Sequence, residues 1–279
     1  LPLSDFTILI ERRITSGAGV VAMRLSLILP AVAALTLAAC PSAPKAPPTL
    51  AAADYAAILA DPARPEADRK DDEARKPADV LAFAGVSPGA TILELEVGRG
   101  WYTDILSAAV GPTGKIITQN PKEFAYSAPA MAARRAAGRL ANVTDTTTPF
   151  DKLDVADASV DKVLWILGPH EVYYTPKDST GLGEPAKSFA EIARVLKPGG
   201  EFIAMDHAAD AGADPRTTGQ NIHRVDPAVV MKLAADAGLE FVEKSDVLAN
   251  PSDDRAKMVF DATVRRHTDQ FLFRFRKPA

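Results

Sequence analysis

Three of the four histidines in this 279-residue chain stand where proton chemistry is easiest to build. His170 follows the apolar run Ser159-Val-Asp-Lys-Val-Leu-Trp-Ile-Leu167, His207 follows Glu201-Phe-Ile-Ala-Met-Asp206, and His223 lies in the segment after that. An imidazole titrates near neutrality, so it can take a proton from a reacting oxygen or nitrogen. Asp206 sits beside His207 and is placed to orient a ring, so His170, His207 and Asp206 are the leading catalytic candidates. The set His207, His223 and Asp206 fits no familiar metal-ligand spacing, and no metal is expected. His267, within the polar segment Arg265 to Asp269, reads as an exposed side chain.

A second constellation is Thr91-Ile-Leu-Glu-Leu-Glu-Val-Gly-Arg-Gly-Trp-Tyr-Thr103. Ile92, Leu93 and Leu95 read as a buried parallel strand. Gly98 and Gly100 make a turn in which backbone can approach a ligand. A helix follows on Ile105, Leu106, Ala109 and Val110, and Gly111-Pro112 stops it. Strand, glycine turn and helix in that order open a nucleotide-binding βαβ unit. A phosphate-cradling loop would need Gly-Lys-Ser/Thr after its glycines, and a dinucleotide fingerprint would need glycine where Thr103 stands.

The elements that must carry these residues alternate along the chain. Strands are expected at 115–120, 140–144, 159–167, 201–206 and 239–244, with a last one over Phe271, Phe273 and Phe275 that buries one face. Helices are expected at 131–140, at 186–196 on the stripe Phe189, Ile192, Ala193 and Leu196, and from an Asp226 N-cap with Pro227 at the first helical position. Residues 54–83 read as helix broken near Pro62, Pro65 and Pro77, and the charged tract from Arg64 to Lys76 reads as a solvated face. The fold class is therefore α/β, a Rossmann-like doubly wound sheet.

The acid Glu94 followed by Gly98 and Gly100 resembles the first motif of the class I S-adenosylmethionine-dependent methyltransferases, acid-x-Gly-x-Gly-x-Gly. The run Phe189-Ala-Glu-Ile-Ala-Arg-Val-Leu-Lys-Pro-Gly-Gly200 resembles the helix and turn before strand five of the same family. The resemblance covers residues 77–278 and implies seven strands, mostly parallel, with the last antiparallel in a terminal hairpin. It implies S-adenosylmethionine as cofactor, with Glu94, Glu96, Gly98, Gly100, Tyr102, Asn120, Asp145 and Leu167 lining its site. Two positions depart from the pattern. Glu96 stands where the first of three glycines belongs, where a carboxylate would crowd and repel the cofactor. Asn120 stands where an acid would hold the ribose hydroxyls. Gly-Trp-Tyr-Thr103, Asp206-His207, His223-Arg224 and Asn250-Pro-Ser-Asp253 resemble a smaller bacterial group, several of whose members are exported.

The N-terminal region carries a different message. Residues 1–22 read as an over-extended gene start. Residues 23–40 read as a lipoprotein-type signal: Arg24, an apolar stretch from Leu25 to Ala39, then Leu37-Ala-Ala-Cys40, which resembles a lipobox. Cys40 is the single cysteine of the chain, so an internal disulfide is impossible and lipidation gives the thiol a use. Residues 41–53 read as a flexible tether and 54–279 as one domain. The expected location is the periplasmic side of a bacterial membrane, with a cytoplasmic location as the alternative. A net charge of −4 argues against a nucleic-acid partner.

Two functions stay open. One is a lipid-anchored methyltransferase acting on a small-molecule or envelope-associated acceptor. The other is a non-catalytic periplasmic binding or scaffold protein that keeps the fold, because fold does not guarantee function.

Overall fold

A computed structural model of the chain describes residues 48–279. The expected gene start, the signal segment with Cys40, and most of the tether lie outside the described residues. Seven strands form one sheet: β1 Thr91–Leu95, β2 Lys115–Gln119, β3 Val143–Thr146, β4 Val160–Ile166, β5 Leu196–His207, β6 Glu240–Ser245 and β7 Gln270–Arg276. Their spatial order is β3-β2-β1-β4-β5-β7-β6. β3, β2, β1, β4 and β5 run parallel, and β7 is antiparallel to both β5 and β6. The α/β doubly wound sheet expected from the sequence is the one observed.

Alternation along the strands divides the core into two layers. Leu93, Leu95, Val163, Trp165, Phe202 and Ala204 pack with Phe189 and Ile192 of the helix Pro185–Val195. Ile92, Leu164, Ile203 and Met205 pack on the opposite face with Val80, Leu81, Ile105 and Leu106 from the helices Pro77–Ala84 and Trp101–Val110. Strands apolar on both sides have to be covered on both sides, which is why helices flank the sheet. From β1 the chain winds outward to β2 and β3, then returns to lay β4 on the other flank of β1. That reversal opens a crevice above the carboxyl ends of β1 and β4.

The structure differs from the sequence reading in four places. β3 starts at Val143 because Leu140, 2 % exposed, is spent on the core beneath the sheet. Lys197-Pro-Gly-Gly200 is a bulge inside β5, since Val160 pairs with Leu196 and Lys162 already pairs with Glu201. The Gly199 N–H donates to Lys277 O and the Lys277 N–H to Gly200 O, both at 2.9 Å, which keeps the bulge in the sheet. The last two strands pair antiparallel as the expected terminal hairpin, but through a long connection, residues 246–269, to which the sequence reading assigns no element; Arg224 and Asp253, both with buried side chains, pair at 2.8 Å to anchor it. Finally, the tract from Arg64 to Lys76 is only partly solvated. Arg64 is buried and pairs with Asp72 at 2.7 Å, and Asp68 pairs with Arg134 at 2.6 Å. The Trp101 indole N–H donates to Asp68 O at 3.0 Å, and the Arg75 guanidinium lies 4.7 Å from that ring. The short N-terminal helices thus clamp the start of the helix that follows the glycine turn.

Candidate active site

The turn after β1 takes backbone angles that most side chains resist. Glu96, Gly98 and Gly100 have φ of 54°, 52° and 78°. Position 96 therefore keeps a left-handed conformation with a Cβ in place, at a cost of roughly 1–2 kcal/mol. No atom among the described residues lies within 4 Å of where a Gly98 Cβ would project, so the turn opens to free space there. A Cβ on Gly100 would stand 2.4 Å from Met131 Sδ, so that glycine seats the helix Ala128–Ala136. Gln119, fully buried at the end of β2, braces the turn: its Oε1 accepts from the Glu96 N–H at 3.2 Å and its Nε2 donates to Thr148 O at 2.6 Å.

The Glu96 side chain folds across the crevice. Its Oε2 accepts from the Trp165 indole N–H at 3.1 Å. A Cβ on Gly168 would fall about 2 Å from both groups, so only glycine lets the chain pass them there. Burial, and then the nearby Glu171 carboxylate, push the Glu96 carboxyl well above the usual carboxylate range. With its ionisation disfavoured in this way, Glu96 repels an anionic ligand less than an exposed carboxylate would.

Beside it, His170 is the second residue of the 3-10 turn Pro169–Tyr173, just past the end of β4. Asp206 Oδ2 accepts from the His170 backbone N–H at 2.6 Å, and His170 Nδ1 lies 2.9 and 3.0 Å from the two carboxylate oxygens. Burial disfavours a charged His170 ring, but the Asp206 and Glu171 carboxylates outweigh it and hold the pKa well above the ordinary histidine range. His170 Nε2 lies 3.2 Å from Glu171 Oε1 and 3.1 Å from His223 Nδ1. His223 reaches this point because Gly219 lets the helix Pro215–Ile222 close on the turn: a Cβ there would meet His170 O at 3.0 Å. Glu171 is also buried, yet hydrogen bonds and charge from His170 and His223 bring its carboxyl down to about 2.

The expected site residues do not all converge. His170 and Asp206 meet, and Glu96 lies close enough to feel both charges. His207, one residue past Asp206, alternates to the opposite face, with Nδ1 2.7 Å from Thr268 Oγ1. Burial, with the His170 charge, lowers its pKa well below the histidine range. Asp145 lies within β3, not beyond it, and its Oδ1 is taken by Thr118 Oγ1 and Arg135 Nη2, both at 2.6 Å. Tyr102 is buried beneath the sheet with its hydroxyl 3.5 Å from Arg75 O. Glu94 is buried and accepts from Thr103 Oγ1 at 2.7 Å, so it braces the helix from below. Leu167 continues the β4 pairing, its N–H donating to Met205 O at 2.7 Å, and has φ of 60°. Asn120 directly follows β2 with Nδ2 donating to Ser127 Oγ, while its buried Oδ1 has no hydrogen-bond partner among the described residues. Glu171, Trp165 and Gln119 were not singled out from the sequence. The one available signal was Glu171's place beside His170 at the carboxyl end of a central strand.

Residues 93–204, from β1 through most of β5, match the family model of a methyltransferase domain. The fold is a methyltransferase fold. A stretch of 126 residues is 30 % identical to a ubiquinone/menaquinone biosynthesis C-methyltransferase of Hydrogenovibrio crunogenus, covering 45 % of each chain. Over 211 residues the chain is 27 % identical to an arsenite methyltransferase of Halobacterium salinarum, covering 71 % of this chain and 49 % of that one. The chain spans about half the length of these curated relatives. A SAM-dependent methyltransferase of Aquifex aeolicus superposes with a TM-score of 0.53 at 21 % identity, over 81 % of this chain and 98 % of that one. At that identity the likeness is one of fold.

Proposed function

We propose that this chain is an S-adenosylmethionine-dependent methyltransferase whose cofactor lies over the β1 turn. The observation that carries the reading is the pairing of open space above Gly98 with an unpartnered acceptor, Asn120 Oδ1, at the end of β2. Those are the two places where this fold meets the methionyl part and the ribose hydroxyls. The residues fit the cofactor, with Glu96 as the constraint, and the matched family model supports the same reading. The cofactor would supply an electrophilic methyl group, and the chain's task is in-line positioning of an acceptor. His170, its Nδ1 against Asp206, lies beside Glu96 at the carboxyl end of β4, and Tyr126, 64 % exposed on the turn Lys122–Ser127, is near enough to feel the Glu96 and Glu171 charges. Calorimetry of the full chain with S-adenosylmethionine should show one site per chain. No heat at millimolar ligand leaves the scaffold reading in its place.

The lipobox-like Leu37-Ala-Ala-Cys40 supports a second element of the reading: export, with lipidation of Cys40 holding the domain at a membrane near a small-molecule or envelope-associated acceptor. Blocking lipoprotein signal processing with globomycin should leave a heavier precursor. An unchanged mass removes the anchor.

A further inference from the structure

We propose that His170 Nε2, His223 Nδ1 and Glu171 Oε1 form a site for one divalent transition-metal ion, with Asp206 as the carboxylate that orients His170. The three atoms are separated by 3.1, 3.2 and 3.5 Å. The edge of a tetrahedron around zinc with nitrogen and oxygen bonds of its usual length is about 3.3–3.4 Å. One ion can therefore sit within bonding distance of all three without moving the backbone.

Hydrogen bonding alone accounts poorly for the cluster. If both imidazoles carry protons on the facing nitrogens, two N–H groups confront each other at 3.1 Å. If one does, a carboxylate lone pair goes unused in a buried place. Glu171 Oε2 already has no hydrogen-bond partner among the described residues, although Glu171 is 6 % exposed. A buried oxygen in that state costs energy, and a cation beside the carboxylate offsets it.

The surroundings are those of a ligand set. Asp206 takes the Nδ1 side of His170 and also its backbone N–H, leaving Nε2 to face the cluster. A carboxylate behind a ligating histidine fixes tautomer and ring orientation in this way. His223 is held edge-on to His170 at 5.2 Å between centroids, with Tyr174 at 5.0 Å and Phe260 at 5.2 Å. Two imidazoles and one carboxylate suit zinc, cobalt or iron(II), whereas calcium and magnesium want mostly oxygen. Three protein ligands leave a coordination position open, as sites that act on a bound molecule do. His207, which the sequence grouped with His223, belongs to the other face and is not a ligand.

The inference stands on these donor atoms and is tested without S-adenosylmethionine, so it can fail or survive independently of the methyl-transfer reading. The full chain, stripped with a chelator, is titrated with cobalt(II) and then zinc(II). One cobalt per chain with visible d–d absorption, displaced by one zinc, is expected. Glu171→Gln and His223→Ala should each weaken zinc at least 100-fold, and Asp206→Asn about 10- to 100-fold, while His267→Ala leaves it unchanged. Circular dichroism shows which variants fold. Zinc-edge X-ray absorption of the loaded wild-type chain needs no variant and should report two imidazoles. Absence of stoichiometric binding, binding undiminished in a folded Glu171→Gln chain, or a thiolate ligand overturns the proposal.

Discussion

The Trp165 indole N–H donates to Glu96 Oε2 at 3.1 Å, tying the acid of the β1 turn to the neighbouring strand β4. The contact fixes where the glutamate side chain lies, while burial and the Glu171 carboxylate, working against this hydrogen bond, disfavour its charge. The side chain lies across the turn, and its left-handed backbone preserves the shape that glycine would give.

Glu96→Gly should relieve that backbone and empty the space beside Trp165 and Gly168 that the carboxyl now fills. S-adenosylmethionine affinity is expected to rise about tenfold, roughly 1.4 kcal/mol, by calorimetry. Unchanged or weaker binding means that the carboxyl does not limit the site.

Asn120→Ala removes the unpartnered Oδ1 and leaves Ser127 without its donor. Losing one hydrogen bond to a ribose hydroxyl should weaken S-adenosylmethionine about 5- to 15-fold, near 1–1.5 kcal/mol. The melting temperature should change little by comparison, which separates a ligand contact from a structural one.

Glu94 makes stability depend on pH with a definite sign. Burial, against the Thr103 hydrogen bond and the Arg134 charge, raises its carboxyl from 4.5 to about 8. The folded chain thus holds a proton that the unfolded chain has released between those values. The contribution is complete below pH 4.5 and is lost as pH rises toward 8, at about 1.4 kcal/mol per pH unit. Glu94→Gln should match the wild type near pH 4.5 and exceed its stability increasingly up to pH 8, in urea unfolding at each pH. A constant difference across the range contradicts this.

Gly100→Ala combines a left-handed φ of 78° with a Cβ 2.4 Å from Met131 Sδ. A loss of about 1–3 kcal/mol is expected, read as a lower urea midpoint. Gly98→Ala has the strained φ but open space, so it should cost less stability and more ligand affinity.

The strand, glycine turn and helix around Gly98 are legible in the sequence because burial on both faces and a positive φ each leave a local mark on residue choice. Asp226 with Pro227 is legible for the same reason: its side chain accepts from the Ala228 N–H as an N-cap should. The cluster at His170 is not local. Glu171 has no pattern of its own, and His223 joins it only because Gly219 lets a helix pack against the turn. The pairing of Asp206 with His170, and not with its neighbour His207, follows from strand alternation once the register of β5 is known. The placement of Asp145 depended on where β3 begins, and Leu140 could belong to strand or core by pattern alone.

A structure of the full chain crystallised with S-adenosylhomocysteine tests the central claim most directly. The expected result is the homocysteine part over Gly98, a ribose hydroxyl on Asn120 Oδ1, and Glu96 still turned toward Trp165 or displaced outward. A crevice filled by the Glu96 carboxyl, with the ligand absent or bound elsewhere, contradicts it.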